Sequence, residues 1–173
     1  NAHVNSVADT SSLNGVPETD WKIIGSSTNV HARDNALVTG PVYLLDGTTK
    51  IADGFVDMWD NRIDAPLNLD ENALPGTGTS DIWSGSFANG LSGGTLFALN
   101  GTDNRAYRGH RTVAINNQWL GRDTQARNGQ RHFYSLSEPL TIQNHGRDSV
   151  VMISAKEYHR LKKLDRKVLA IQE

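Results

Sequence analysis

The chain has 173 residues, 37% of them hydrophobic, a length that suits one ordinary domain or one domain with an appendage. Its formal net charge of −2 gives no global pull toward nucleic acid or an anionic membrane, and the absence of cysteine excludes disulfides, thiolate zinc sites and a cysteine nucleophile. The 16 Gly, with many Asn, Asp, Ser and Thr, point to a loop-heavy chain, while the 4 Trp, 4 Tyr and 4 Phe spread along it argue against disorder throughout.

Residues 1–20 are polar and read as a flexible lead-in. Asn1-Ala2-His3-Val4-Asn5 has neither an initiator Met nor a signal-peptide h-region, as expected of a fragment, a processed product or a trimmed chain. From Trp21 onward short apolar clusters alternate with turn signals. Residues 21–24, 36–38 and 42–45 are predicted strands, the last closed by an Asp46-Gly47 turn. Residues 51–59 read as a short helix, because Ile51, Phe55 and Met58 recur at helical spacing. Residues 73–80 form a loop by composition, and 82–86, 95–99, 112–115 and 132–136 are further predicted strands. This pattern predicts a β-rich, loop-heavy domain over residues 21–137.

The segment 138–173 has a clearer pattern. Residues 140–142 and 149–153 predict a β-hairpin about a turn at Asn144-His145-Gly146-Arg147-Asp148. Ser154 and Glu157 then form a capping box, and the helix beyond lacks Gly and Pro through Gln172. Tyr158, Leu161, Leu164, Val168 and Ile171 share one face, with Lys162, Lys163, Arg166 and Lys167 around the remainder. Charge divides at the same place: residues 1–137 carry ten Lys/Arg against fourteen Asp/Glu (−4), and residues 138–173 carry seven against five (+2). No apolar run approaches the roughly 18–20 residues needed to span a bilayer.

Glu138-Pro139-Leu140-Thr141-Ile142, Asn144-His145-Gly146-Arg147-Asp148, Ser149-Val150-Val151-Met152-Ile153-Ser154-Ala155, Glu157-Tyr158 and Leu161-Lys162 together resemble the C-terminal half of Phd/YefM-type antitoxins. The resemblance implies a cytoplasmic, dimeric type II antitoxin whose C-terminal helix wraps a cognate toxin, usually a ribonuclease. An amphipathic helix with a basic back suits a partner's groove. On this reading Tyr158, Leu161, Leu164, Val168 and Leu169 are the candidate toxin contacts, with Leu169 beside the stripe, and His145 and Arg147 are candidate nucleic-acid contacts. The family's DNA-binding half is a strand and two helices, which residues 95–137 do not resemble, so autonomous DNA binding is not expected. The alternative is an apolar stripe that packs against the chain's own domain.

Upstream, Val38-Thr39-Gly40-Pro41-Val42-Tyr43-Leu44-Leu45-Asp46-Gly47, Phe55-Val56-Asp57-Met58-Trp59-Asp60, Ile63-Asp64-Ala65-Pro66-Leu67-Asn68-Leu69-Asp70-Glu71, Ile82-Trp83-Ser84-Gly85-Ser86 and His132-Phe133-Tyr134-Ser135-Leu136 resemble bacterial endostatin-like domains. That likeness implies a C-type-lectin-like α+β fold with an extracellular or cell-surface interaction role. The two resemblances meet at residues 137–142.

Little else in the sequence carries chemistry. Asp57, Asp60, Asp64, Asp70 and Glu71 form the densest carboxylate cluster, but their spacing does not follow an EF-hand schedule, so solvated turns and caps are expected and no metal. Asp57 or Asp60 beside Arg62 is expected to form surface ion pairs. The histidines at 3, 31, 110, 132, 145 and 159 show no paired ligand spacing, and no H-E-x-x-H, G-x-S-x-G or P-loop pattern occurs. Arg105, Arg108, His110 and Arg111 with Tyr107 read as an exposed basic-aromatic loop. Trp59, Trp83 and Trp119 read as core anchors, and Asn100-Gly101-Thr102 is a glycosylation sequon only in a eukaryotic secretory setting. The expectation is a non-enzymatic binding protein with no cofactor: antitoxin-like through its tail, or an endostatin-like surface domain with a packed terminal helix.

Overall fold

The computed structural model describes residues 1–13, 15–17, 19–114, 116–137, 141–144 and 147–150, the last two segments as backbone. The predicted terminal helix, with Tyr158, Leu161, Leu164, Val168 and Leu169, lies outside the described residues, as does His145. The described part is α+β, built from short helices and small antiparallel sheets.

The chain opens with helix α1 (Ala2–Ala8), where the sequence predicts a lead-in without structure. Val4 and Ala8, four residues apart on one face, are buried together with Val16 and Trp21. Strand β1 (Trp21–Ile23) is tied to this helix by its polar side chains. Asn5 Oδ1 accepts the Trp21 N–H at 2.7 Å, Asn5 Nδ2 donates to Asp20 at 2.8 Å, and Asn1 Oδ1 accepts the Ile23 N–H at 2.9 Å. The Trp21 indole donates to the Val16 carbonyl at 3.0 Å. The asparagines that made the segment look like a loop are the groups that anchor it.

Residues 36–38 are not a strand. Helix α2 (Ala32–Asn35) precedes them, and Asn35 Nδ2 donates to the Ile23 carbonyl at 2.7 Å. Strands β2 (Val42–Tyr43) and β3 (Lys50–Ala52) pair as an antiparallel hairpin. Its turn is held by Asp46, whose carboxylate accepts the N–H groups of Thr48 and Thr49 and the Thr49 hydroxyl, while Gly47 supplies φ 71°. The helix predicted over 51–59 is therefore shorter: β3 ends at Ala52, and α3 (Phe55–Met58) begins after Gly54.

Strands β4 (Asp81–Trp83), β5 (Arg105–His110) and β6 (Asp123–Ala126) form an antiparallel sheet with β5 in the middle. Asp81 faces His110 and Trp83 faces Arg108, while Arg105 faces Ala126 and Arg108 faces Asp123. Residues 95–99 hold helix α4 (Gly94–Phe97) instead of a strand, and 112–114 continue a turn in which the Val113 N–H reaches the His110 carbonyl at 3.1 Å. Helix α5 (Gln118–Gly121) lies directly on β5, since a Cβ on Gly109 would stand 2.1 Å from the Trp119 carbonyl oxygen.

Strand β7 (Ser135–Ser137) returns to β1, pairing Trp21 with Ser137 and Ile23 with Ser135, so the two ends of the region 21–137 close on each other. Strands β8 (Thr141–Asn144) and β9 (Arg147–Val150) form a separate two-stranded sheet where a hairpin is predicted, with Thr141 opposite Val150 and Asn144 opposite Arg147, so that Asn144, Arg147 and Asp148, expected in the turn, belong to the strands.

Two apolar clusters are formed by the described residues. The larger contains Ile24, Ile51, Met58, Ile82, Leu120 and Trp119. Trp119 lies 5.9 Å from the Trp59 ring and 6.3 Å from the Tyr134 ring, centroid to centroid. The smaller is Val4, Ala8, Val16 and Trp21, flanked by Ile23, Leu45 and Phe133. Trp59, Trp83 and Trp119 are all buried, as core anchors should be.

Candidate functional site

Strand β5 positions most of the charged chemistry, and it is a strand rather than the exposed loop expected of Arg105, Tyr107, Arg108 and His110. Arg108 is only 15% exposed and its guanidinium is committed on both sides, to Asp81 and to Asp123 at 2.5 Å. Arg122 and Arg131 each approach the same Asp81 carboxylate at 3.6 Å. Arg108's donation holds the Asp123 carboxyl below the usual carboxylate range. His110, at the end of the strand, is held below the ordinary histidine range by burial first and by Arg122 second. Three guanidiniums around two carboxylates leave little free charge at Arg108 to meet a phosphate.

The opposite side of β5 is aromatic. Tyr107 packs 4.7 Å from Phe87 and meets Phe97 edge-on at 5.8 Å, and the Arg105 guanidinium lies over the Phe97 ring at 5.2 Å. Gly93 permits this approach, since a Cβ there would stand 2.7 Å from the Tyr107 ring. Phe87 is 43% exposed and Leu96 50% exposed, so this apolar surface faces solvent with Arg105 at its edge. The predicted strand over 95–99 obscured this arrangement, because Leu96 and Phe97 reach the surface only as part of a helical turn.

A third feature is a cleft of about 500 Å³ along the seam between the two apolar clusters. Trp21, Phe133 and Val16 border it from one cluster and Met58, Ile82 and Tyr134 from the other, with Arg111 also in its wall.

The carboxylates are divided differently from the sequence grouping. Asp57 and Asp64 converge with Asp53, with one oxygen of each within 4.8 Å of the others, whereas Asp70 and Glu71 sit in another loop. Lys50 Nζ already lies 2.7 Å from Asp53 and 3.5 Å from Asp64, and Asp57 accepts the Asp53 N–H at 2.7 Å. Lys50 therefore already pairs with two of the three carboxylates, and the third accepts a backbone N–H. Arg62 stands 3.6 Å from Asp60 with its side chain 70% exposed, a surface pair worth about 0–1 kcal/mol.

Ser26, Ser84 and Ser86 form a buried hydroxyl relay that the sequence did not single out. Ser26 and Ser86 Oγ are 2.7 Å apart, Ser86 Oγ donates to the Ser84 carbonyl at 2.9 Å, and Ser84 Oγ donates to the Leu120 carbonyl at 2.7 Å. All three are 0% exposed, so the relay ties loops together and leaves no hydroxyl open to a substrate. Asn100 of the sequon accepts the Thr28 N–H at 2.7 Å, an ordinary structural contact.

Comparison with protein-family models, with curated proteins and with solved structures finds no match to this chain. Of the residues singled out as antitoxin contacts, Arg147 alone falls within the described backbone, at the start of β9 opposite Asn144. No helix among the described residues is long and apolar enough to cross a membrane.

Proposed function

We propose that this chain is a non-enzymatic binding protein whose α+β body is an interaction domain of endostatin-like type. The observation that carries this reading is the solvent-facing surface of Phe87, Leu96, Phe97 and Tyr107 with Arg105 stacked at its edge. Aromatic and arginine side chains dominate the energetics of protein interfaces, and here Tyr107 and Arg105 stand on the central strand β5. The test is a pull-down with the intact chain against a Phe87→Ser/Leu96→Ser double variant that retains the wild-type melting temperature. Loss of the specifically captured partners in the variant supports the reading, and an unchanged set overturns it.

A second reading, of an antitoxin neutralising a ribonuclease toxin through its tail, is favoured by the β8–β9 hairpin. It is antiparallel, with Asn144 opposite Arg147, and no other described strand pairs with it. On this reading the intact chain co-elutes with a cognate toxin, and Tyr158→Ala with Leu161→Ala abolishes co-elution. A double variant that still co-elutes removes those two residues from the contact surface.

A further inference from the structure

A cleft of about 500 Å³, partly open to solvent, runs along the seam between the two apolar clusters. The volume lies within the roughly 300–1,000 Å³ typical of small-molecule sites. Its apolar wall comes from both clusters, with Val16, Trp21 and Phe133 facing Met58 and Ile82. Two polar groups in the same wall lack the partners their chemistry calls for. Tyr134 is 7% exposed, and its hydroxyl is buried with no hydrogen-bond partner among the described residues. A lone buried hydroxyl is costly, and such groups are satisfied in nearly all proteins.

Arg111 is the second. Among the described residues no carboxylate pairs with it, and its Nε donates to the Thr79 carbonyl at 3.3 Å. It lines the same cleft as Tyr134. Gly76 allows the guanidinium to sit where it does, since a Cβ there would stand 2.7 Å from Nη1. The neighbouring acids are occupied by their own loop: Asp70 Oδ1 accepts the N–H groups of Asn72 and Leu74, and Glu71 accepts from the Asn72 amide. Arg131, also in the wall, is drawn toward Asp81 at 3.6 Å.

We propose that this cleft binds a small anionic amphiphile, a carboxylate on an apolar body, with the hydrocarbon along the seam between the clusters and the carboxylate held by the Arg111 guanidinium and the Tyr134 hydroxyl. A carboxylate accepts from both donors at once, whereas a neutral head leaves Arg111 unneutralised. The site is separate from the aromatic face on β5, and the proposal stands or falls independently of that surface.

The experiment is isothermal titration of the full chain with dodecanoate below its micelle concentration, with dodecanol as the uncharged control. The expected result is saturable one-to-one binding of dodecanoate, and binding of dodecanol weaker by about tenfold or more. Arg111→Gln is expected to weaken dodecanoate by a similar factor. Tyr134→Phe separates a ligand role from a packing flaw: it should raise the melting temperature of the free chain, by removing an unsatisfied hydroxyl, and yet weaken dodecanoate about tenfold. No dodecanoate binding, equal binding of dodecanol, or affinities unchanged in both variants overturns the proposal.

Discussion

Asp81 is where one side chain does most for the charged side of the sheet. It takes Arg108, Arg122 and Arg131 on a single carboxylate that is 16% exposed, with Asp123 as the only other acid bonded to Arg108 among the described residues. Asp81→Ala leaves three guanidiniums facing one another, and we expect a loss of about 2–3 kcal/mol in urea unfolding, with a smaller loss for Asp123→Ala, whose side chain is 47% exposed. His110 supplies a pH signature. Its folded pKa is depressed, so below about 6.5 the unfolded chain binds the proton more readily and stability falls with acid; above about 6.5 this contribution is fully present. Stability curves measured from pH 7 downward should therefore decline more steeply for the wild type than for His110→Gln, and parallel curves would contradict this. Asp123, Asp103 and Asp46 are depressed as well, so their contributions persist to lower pH and fade only below the usual carboxylate range, about 4.

At the scale of elements, close backbone approach decides more than side-chain periodicity. Gly109 lets α5 lie on β5, and with a Cβ at 2.1 Å from the Trp119 carbonyl something must move. Gly109→Ala should cost about 3 kcal/mol, near the top of the range for overpacking, and should broaden the signals of Trp119 and Leu120. The β2–β3 turn is a milder case. Asp46→Ala removes acceptors for two N–H groups and a hydroxyl at an exposed site, and a loss of about 1 kcal/mol is expected from thermal melts. These elements were unevenly legible. The strand at Val42 and its turn announced themselves through Asp46-Gly47, but β3 was hidden in a run that reads as a helix, and the β8–β9 hairpin was legible from two apolar runs about a polar turn that proves shorter than 144–148. Strand β5 did not, because its buried positions are Ala106 and Gly109, which carry no hydrophobic period, while its arginines mimic a solvated loop. The run at 95–99 misled for the opposite reason: Leu96 and Phe97 look like strand interior, yet the Phe97 and Ala98 N–H groups reach the Gly93 and Gly94 carbonyls and close a helical turn, with Gly101 packed against the Leu96 carbonyl.

At the scale of the molecule, β1 and β7 join residues more than a hundred apart and close the body at Ser137. Deletion of residues 138–173 should thus leave a remainder that melts cooperatively, whereas deletion from residue 131 onward removes β7, Phe133 and Tyr134 and should abolish cooperative melting. A truncation at 137 that melts without cooperativity would show that the tail belongs to the same folding unit. Helix α1 belongs to this scale too. Removing residues 1–9 uncovers Val16 and Trp21, and we expect a lower melting temperature along with a loss of about 2–3 kcal/mol.

The sequence by itself determined the class of the chain: α+β with short strands, buried tryptophans at 59, 83 and 119, no thiol chemistry, and a charge boundary near residue 137. Those features are local or compositional, and the physics that sets them acts within a few residues. Only the tertiary structure decided that Asn1 and Asn5 anchor a helix, that Lys50 bridges Asp53 and Asp64, and that Arg108 is neutralised while Arg111 pairs with no carboxylate among the described residues. Each depends on which distant groups meet, and a polar side chain has the same letter whether it is solvated or satisfied in the interior. The cleft belongs with these, because it is a property of how two clusters come together and is written in neither of them.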